Sequence, residues 1–403
     1  METARETLSL QGVKFFKPVR TLLARLRKER AHPNRKLHYD EYIALLLLTF
    51  YQPTSQTLRW VQQASALKTV QKKIGVSRAS LGSLSEASQV FDPELLREIF
   101  LELAGEASAS DAPPRPRGVP DDLRVLAADG TLWDTLPRMA RELWLKPLQR
   151  SKKGGFKGHL QFDVLRHVPC SAHFSMGECG EAAELKLHLQ RGALYLLDRG
   201  FVDYELYAKI AGVGSSFLAR LKQSCALETV ETRALGSAAE KAGVYTDAVV
   251  RLGAGARQSA QPLRLIRAKV LLPPPHNLHP QRNHGKHKAY APGEYREQEL
   301  VLLTDRFDLD ADVLVLLYRY RWQIELFFRW FKCVLGSKHL LAQSENGLNL
   351  QMYTALIASL LVVIWTGRRP SQRLLNALNF YLIGWASWAE FKAELERAAP
   401  AKR

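Results

Sequence analysis

Cysteine is nearly absent: Cys170, Cys179, Cys225 and Cys333 are the four thiols among 403 residues. They are too few and too scattered for a disulfide framework or a paired-cysteine zinc site, and they read as reduced, cytosolic thiols. No apolar run reaches the ~20 residues that a membrane span requires. The longest, Met352 to Trp365, is shorter and carries Thr354 and Ser359. The stretch from Met1 to Lys17 has no apolar segment ahead of a small-residue cleavage site, so neither export nor a membrane is indicated. Negative charge is also in short supply, with 40 acidic against 57 basic residues and a net charge of +17. Such an excess concentrates polyanions at the surface, which makes nucleic acid the first partner to consider beside the plainer reading of a basic globular protein. The rest of the composition, 46% hydrophobic and 24% charged, excludes a wholly disordered or collagen-like chain. The length exceeds what one core organises, which predicts at least two folding units.

Residues 1–106 read as helical, with Phe15, Val19, Leu22, Leu23 and Leu26 at helical spacing and a second apolar run from Tyr42 to Phe50. The basic stretch Arg20, Arg25, Arg27, Lys28, Arg30, Arg35 and Lys36 suits either a phosphate backbone or a solvated helix face. Ser77-Arg78-Ala79-Ser80-Leu81 starts a further helical segment, of the kind found in a helix-turn-helix, which Gly82 interrupts or tolerates. Residues 107–120, rich in Ser, Asp, Pro and Gly, read as a linker. Short apolar runs follow at Leu123–Ala128, His159–Leu165, Ala172–Met176, Ala193–Leu197 and Phe217–Leu221, with helical segments at Ala182–Leu189 and Asp203–Ala211. The order β-β-β-α-β-α-β predicts an α/β fold with a sheet of mixed direction over 121–221. Residues 222–297 break into β-like pieces, Val244–Leu252 and Leu263–Leu272, and read as a β-rich insertion. Regular structure resumes over 298–341 with a strand from Glu299 to Thr304 and a long helix from about Ala311 to Leu335, and 342–403 reads as helical.

Asp129 follows the run Arg124–Ala128 and precedes Gly130-Thr131, which places its carboxylate at a strand end, as a ligand or as part of an ordinary Asp-Gly turn. Asp198 stands likewise after Leu194-Tyr195-Leu196-Leu197, its plainer role being an ion pair with Arg199. Two carboxylates at neighbouring strand ends form an oxygen-rich pocket of the kind that holds Mg²⁺. On the long helix, Tyr318, Arg321, Glu325 and Lys332 lie at offsets 0, 3, 7 and 14. At about 100° per residue they fall within roughly 60° of one another, so they share one stripe. Leu317, Ile324, Phe328, Phe331 and Leu335 form a separate apolar stripe. The polar stripe reads either as an acid flanked by phosphate-binding groups or as an exposed face with an Arg321–Glu325 ion pair. His276, His279, His284 and His287 suit a basic DNA-facing loop better than a zinc site, since Pro280, Arg282, Lys286 and Lys288 surround them.

Tyr318-Arg319-Tyr320-Arg321-Trp322-Gln323-Ile324-Glu325, continued through Lys332, resembles the Tyr-x2-Arg-x3-Glu-x6-Lys signature of the DDE transposases of bacterial insertion sequences. Asp129-Gly130-Thr131 and Asp198-Arg199-Gly200-Phe201 resemble the family's two Asp motifs, and Val301-Leu302-Leu303-Thr304-Asp305 resembles the strand leading to its Glu helix. The resemblance implies a ribonuclease-H-like catalytic core interrupted by a β-rich insertion, a helical N-terminal domain binding the element's end, and C-terminal helices that help two protomers pair. It implies Asp129, Asp198 and Glu325 as catalytic ligands of two Mg²⁺ ions, with Mn²⁺ able to substitute. It also implies Tyr318, Arg321 and Lys332 as contacts to the cleaved DNA end, with Lys157 and His159 as further DNA contacts or members of a solvated loop. The partners implied are the double-stranded terminal repeats, the target DNA and a second protomer, in a bacterial, nucleoid-associated protein. The insertion has no Trp to capture a flipped base, which leaves Tyr245 or Tyr290 as stacking surfaces. A ribonuclease-H-like nuclease without strand transfer, and an inactive DNA-binding derivative, are the alternatives.

Overall fold

The computed structural model describes residues 21–29, 34–51, 57–109, 114–135, 154–176, 180–222, 225–253, 261–272, 296–337, 339–366, 371–382 and 384–397. Its N-terminal helices of eight or more residues are, among the described residues, α1 (Tyr39–Phe50), α2 (Leu58–Ser65), α3 (Leu81–Val90) and α4 (Pro93–Ala109). Strands β1 (Arg124–Thr135), β2 (Gly154–Asp163) and β3 (Val168–Met176) follow, then α5 (Glu181–Leu187), β4 (Ala193–Leu197), α6 (Tyr204–Gly212) and β5 (Ser216–Arg220). Next come β6 (Leu227–Thr232), α7 (Ser237–Lys241), β7 (Val244–Leu252), β8 (Leu263–Leu272) and β9 (Arg296–Thr304). The chain continues with α8 (Ala311–Tyr320), α9 (Trp322–Arg329), α10 (Glu345–Thr366), α11 (Gln372–Leu382) and α12 (Trp388–Arg397).

The chain divides into two compact units, each assembled from separated segments. One comprises Met1–Pro113, Asp129–Gly180 and Trp322–Arg403, the other Pro114–Ala128 and Glu181–Arg321. The first is organised around α10, which is apolar on every side and is covered by α1, α3, α4 and β3. It is long and apolar enough to cross a membrane, yet 89% of its most apolar stretch is buried within the protein. Polar groups along it are matched to backbone atoms. Tyr51 Oη donates to the Ala358 carbonyl at 2.9 Å, Tyr353 Oη to the Ala172 carbonyl at 3.1 Å, and Asn346 Nδ2 to the Ser88 and Phe91 carbonyls at 3.0 and 2.8 Å. The N-terminal and C-terminal helices therefore share one core.

Side-chain caps start these helices. Thr57 accepts from the Trp60 N–H at 3.2 Å to open α2, and Ser80 accepts from Ser83 at 3.0 Å to open α3, which runs on through Gly82. Part of the basic stretch is engaged inside this unit: Arg25 pairs with Glu102 at 2.8 Å, Arg27 with Asp40 at 3.3 Å, and the Arg35 guanidinium lies 5.2 Å from the Phe91 ring centre. Helix α4 runs to Ala109, past the expected start of the linker.

In the second unit β1 and β4 are parallel, from Arg124↔Ala193 to Ala127↔Leu196, and β4 and β5 are parallel from Leu194↔Ser216 to Leu197↔Ala219. Strands β9, β8, β7 and β6 continue in antiparallel pairs beyond β5. The hydrogen-bonded order is β3-β2-β1-β4-β5-β9-β8-β7-β6, a mixed α/β sheet whose β3-β2-β1-β4-β5 portion is the ribonuclease-H-like order. Strands β4 and β5 are short apolar runs that are buried almost throughout, as strands covered on both faces require. The insertion interrupts the chain without leaving the sheet, because β8 pairs with the whole of β9 from Arg264↔Thr304 to Leu272↔Arg296. Strand β6 was not expected, since its mostly exposed Leu-Glu-Thr-Val-Glu-Thr carries no apolar face.

Two further expectations are corrected. Strand β1 continues to Thr135, so Asp129 lies inside a strand and not at its end or in a turn; the register with β4 runs only to Ala127. The single helix expected over 311–335 is α8, Arg321, α9 and a wider turn at Trp330–Val334. The Arg321 N–H bonds three residues back to the Tyr318 carbonyl at 3.1 Å, while the Phe331 carbonyl takes the Ser337 hydroxyl at 2.8 Å, which ends the helical run.

Candidate active site

Asp198, Tyr318 and Arg321 lie in the second unit together with Arg199 and Arg220. Asp198 directly follows β4, at the carboxyl end of a parallel strand, where open α/β sheets bind ligands. Its Oδ1 accepts the Gly200 N–H at 2.7 Å, which caps the 3₁₀ turn Arg199–Phe201 and orients the carboxylate. A Cβ at Gly200 would stand 3.0 Å from that oxygen, so glycine permits the close approach. Leu197 is in register with Ala219, and Asp198 and Arg220 are the residues that directly follow that last pair.

Arg220 Nε and Nη2 are buried without a hydrogen-bond partner. Burial pushes its guanidinium below the usual arginine range, reinforced by the cations Arg199 and Arg321 and opposed by Tyr318 and Asp198. Tyr318 is buried and is pushed up to about 12, chiefly by desolvation, so its phenol stays protonated. Its side chain hydrogen-bonds with Arg321. Asp305 has a structural use: its carboxylate takes the Phe217 N–H at 2.9 Å, and burial raises its pKa.

Asp129, Glu325, Lys332, Lys157 and His159 lie in the other unit. Asp129 Oδ1 accepts its neighbour's N–H, that of Gly130, at 2.8 Å. Glu325 is half-buried on α9, whose Ile324, Phe327 and Phe328 enter the core. The Lys332 ammonium sits 4.5 Å from the Trp133 ring centre and donates to the Leu132 carbonyl at 2.5 Å, two contacts that fix a long side chain. Trp133 is itself held edge-on by Phe331 and Phe174, and a Cβ at Gly158 would come within 2.8 Å of its ring. Lys157 and His159 flank that glycine on β2, opposite Ser175 and His173; Lys157 is half-buried and His159 is 8% exposed.

The four insertion histidines and Tyr290 lie outside the described residues. Tyr245 is 44% exposed on β7 with its hydroxyl donating to Glu299. Sequence reasoning singled out Arg199 only as a pairing partner of Asp198 and missed Arg220. The available signal was the same for both motifs: a charged residue directly after a buried apolar strand, in Leu-Leu-Asp and Leu-Ala-Arg.

Residues 120–361 match the transposase DDE domain, and the chain belongs to that family. The matched range includes all three acids. A Sinorhizobium fredii protein named as a transposase, y4zB, is 30% identical over 224 residues, 55% of this chain and 56% of that one. A protein of Geobacillus stearothermophilus named for insertion sequence IS5377 is 28% identical over 81 residues, 20% of this chain and 22% of its own length. One from Synechocystis sp., named for insertion sequence IS4SA, is 41% identical over 46 residues, 11% and 14% of the two chains. The matches thus span about half the length of y4zB and less of the other two. Against a solved piggyBac transposase synaptic complex with hairpin DNA the whole chain aligns with 88% of that chain at 11% identity, with a TM-score of 0.40, too low to bear on function.

Proposed function

We propose that this chain is an insertion-sequence DNA transposase, which cleaves at the element's ends and joins the freed 3′-hydroxyl to target DNA. The observation that carries the reading is strand register. Ala127 of β1 pairs with Leu196 of the parallel strand β4, and Asp129 and Asp198 each stand two residues further along the chain, Asp129 within β1 and Asp198 just past β4. With Glu325 they would supply three carboxylates, a donor type that fits a hard divalent cation and offers nothing to a thiophilic one. Asp129, Asp198 and Glu325 would hold two Mg²⁺ ions, or Mn²⁺ in their place. Such ions, when bound, sharpen the attacking oxygen and stabilise the leaving 3′ oxygen of an in-line displacement.

The protein's part is to position groups. Gly200 holds the Asp198 carboxylate in one orientation. Tyr318 remains a hydrogen-bond donor throughout the working pH range because burial keeps it neutral. Arg321 grips a backbone phosphate with its fork and Lys332 presents a point charge, while Lys157 and His159 serve DNA from β2. Water attacks first and frees the 3′-hydroxyl. That hydroxyl then attacks a second phosphodiester, either the opposite strand to give a hairpin or the target, and no covalent enzyme intermediate is needed. Double-stranded terminal repeats and target DNA are the substrates. Pairing two ends calls for a homodimer, with residues 1–106 serving end binding and 342–403 pairing, in a nucleoid-associated bacterial protein.

The test is incubation of the purified protein with its element's end DNA, Mg²⁺ and a target plasmid. Joined products are expected. Cleavage without joining would favour the nuclease, and binding without breakage in both Mg²⁺ and Mn²⁺ the inactive derivative. Asp129→Ala, Asp198→Ala and Glu325→Ala should each abolish cleavage while end binding survives in a gel-shift assay.

A further inference from the structure

Arg220 acts electrostatically with Asp198, Tyr318 and Arg321 and takes no part in the proposed chemistry. It closes β5 at the carboxyl end of the parallel strands, directly after the last pair Leu197↔Ala219, with Nε and Nη2 buried and unmatched. Two of the charges acting on it, Arg199 and Arg321, are cations. The carboxylate that acts on it most strongly, Asp198, has an oxygen committed to Gly200, and the Tyr318 phenol is neutral. Buried guanidinium donors normally find acceptors, so this arrangement is complete only with an added anion. A planar fork flanked by two further arginines matches the two non-bridging oxygens of a phosphate, and strand carboxyl ends are where such sheets receive ligands.

We infer that Arg220, with Arg199 and Arg321 beside it, forms a binding site for one phosphate group of the DNA backbone next to Asp198. The choice of DNA as the source of that phosphate rests on the transposase reading, whereas the anion site stands on the geometry. Arg220 contributes affinity at the cost of stability, because without the phosphate two of its donors are buried and unmatched.

The test uses the full chain in EDTA, with inorganic phosphate as the probe and chloride at equal ionic strength as the control. Phosphate should raise the melting temperature of the wild type and not that of Arg220→Gln, with Arg220→Lys intermediate. In chloride Arg220→Gln should melt at or above the wild type, which shows that the variant folds. In a second arm, binding of duplex end DNA in EDTA is followed against salt, and the slope of log K on log salt should fall by about one for Arg220→Gln. An equal phosphate shift in both proteins, no shift in the wild type, or a lower melting temperature of the variant in chloride would overturn the site. Phosphate protection with an unchanged salt slope would overturn the assignment to DNA. Neither arm requires strand cleavage, so a protein that binds but never cuts would refute the transposase reading and leave the Arg220 site standing.

Discussion

Two arginines in the same unit, one buried and one half-buried, show opposite states of a guanidinium. Arg264, on β8, donates Nε and Nη2 to the two carboxylate oxygens of Asp247 at 2.9 and 2.7 Å, and Nη1 to the Leu309 carbonyl at 2.5 Å. It ties β7 and β8 to the loop that leads into α8, the helix carrying Tyr318. Arg220, at the end of β5, leaves Nε and Nη2 unmatched among other cations. A saturated buried charge is a structural clasp, whereas an unsaturated one marks a place prepared for a ligand.

This contrast can be broken most severely at the clasp. Arg264→Ala leaves the Asp247 carboxylate buried without its main partner and should cost about 3–5 kcal/mol, read by urea unfolding. Replacing both members, Arg264→Leu with Asp247→Leu, should recover most of that loss, since removing a buried pair together is often close to neutral. A double variant as unstable as the single one would show that the Leu309 contact carries the clasp.

The phenol beside Arg220 sharpens the contrast next. Tyr318 is held at about 12, above the ordinary tyrosine value of about 10, so the folded state keeps a proton that the unfolded chain releases. Its contribution is complete below pH 10 and is lost as pH rises from 10 through about 12, at about 1.4 kcal/mol per pH unit. Denaturation at pH 9 and pH 11 should show a larger fall for the wild type than for Tyr318→Phe, the other buried tyrosines being common to both. Smallest of all is the effect at Arg220 itself. Arg220→Ala should change unfolding free energy by no more than about 1 kcal/mol, because no hydrogen bond of Nε or Nη2 is lost. A loss like that of Arg264→Ala would erase the distinction between the two arginines.

Much of the sheet was legible in the chain. The apolar runs at 193–197, 244–252 and 263–272 are strands over those same residues. Buried strands must be apolar, and the Gly and Pro around them mark where pairing stops. Strand β6 escaped because an edge strand exposed along its length has no need of an apolar face. Strand β1 overran its expected end because Asp129-Gly130 is a turn signal by composition and lies within a strand here. The acids of the candidate site stood out through local spacing, but His159 gave no sign that it would be 8% exposed in the β2–β3 ladder.

The sequence by itself determined the apolar strands, the two acids that directly follow apolar runs and the Tyr-Arg-Glu-Lys spacing, all of which depend on residues a few positions apart. Tertiary structure alone decided that residues 1–113 share a unit with 322–403, that α10 is buried instead of exposed, and that the insertion extends the sheet through β9. It also decided which arginine found a partner. Arg264 and Arg220 look alike in the chain, and they differ because Asp247 reaches one from 17 residues away whereas Arg199 and Arg321 are what crowd the other. Charge satisfaction is a property of spatial neighbours, and short-range patterns carry no record of them.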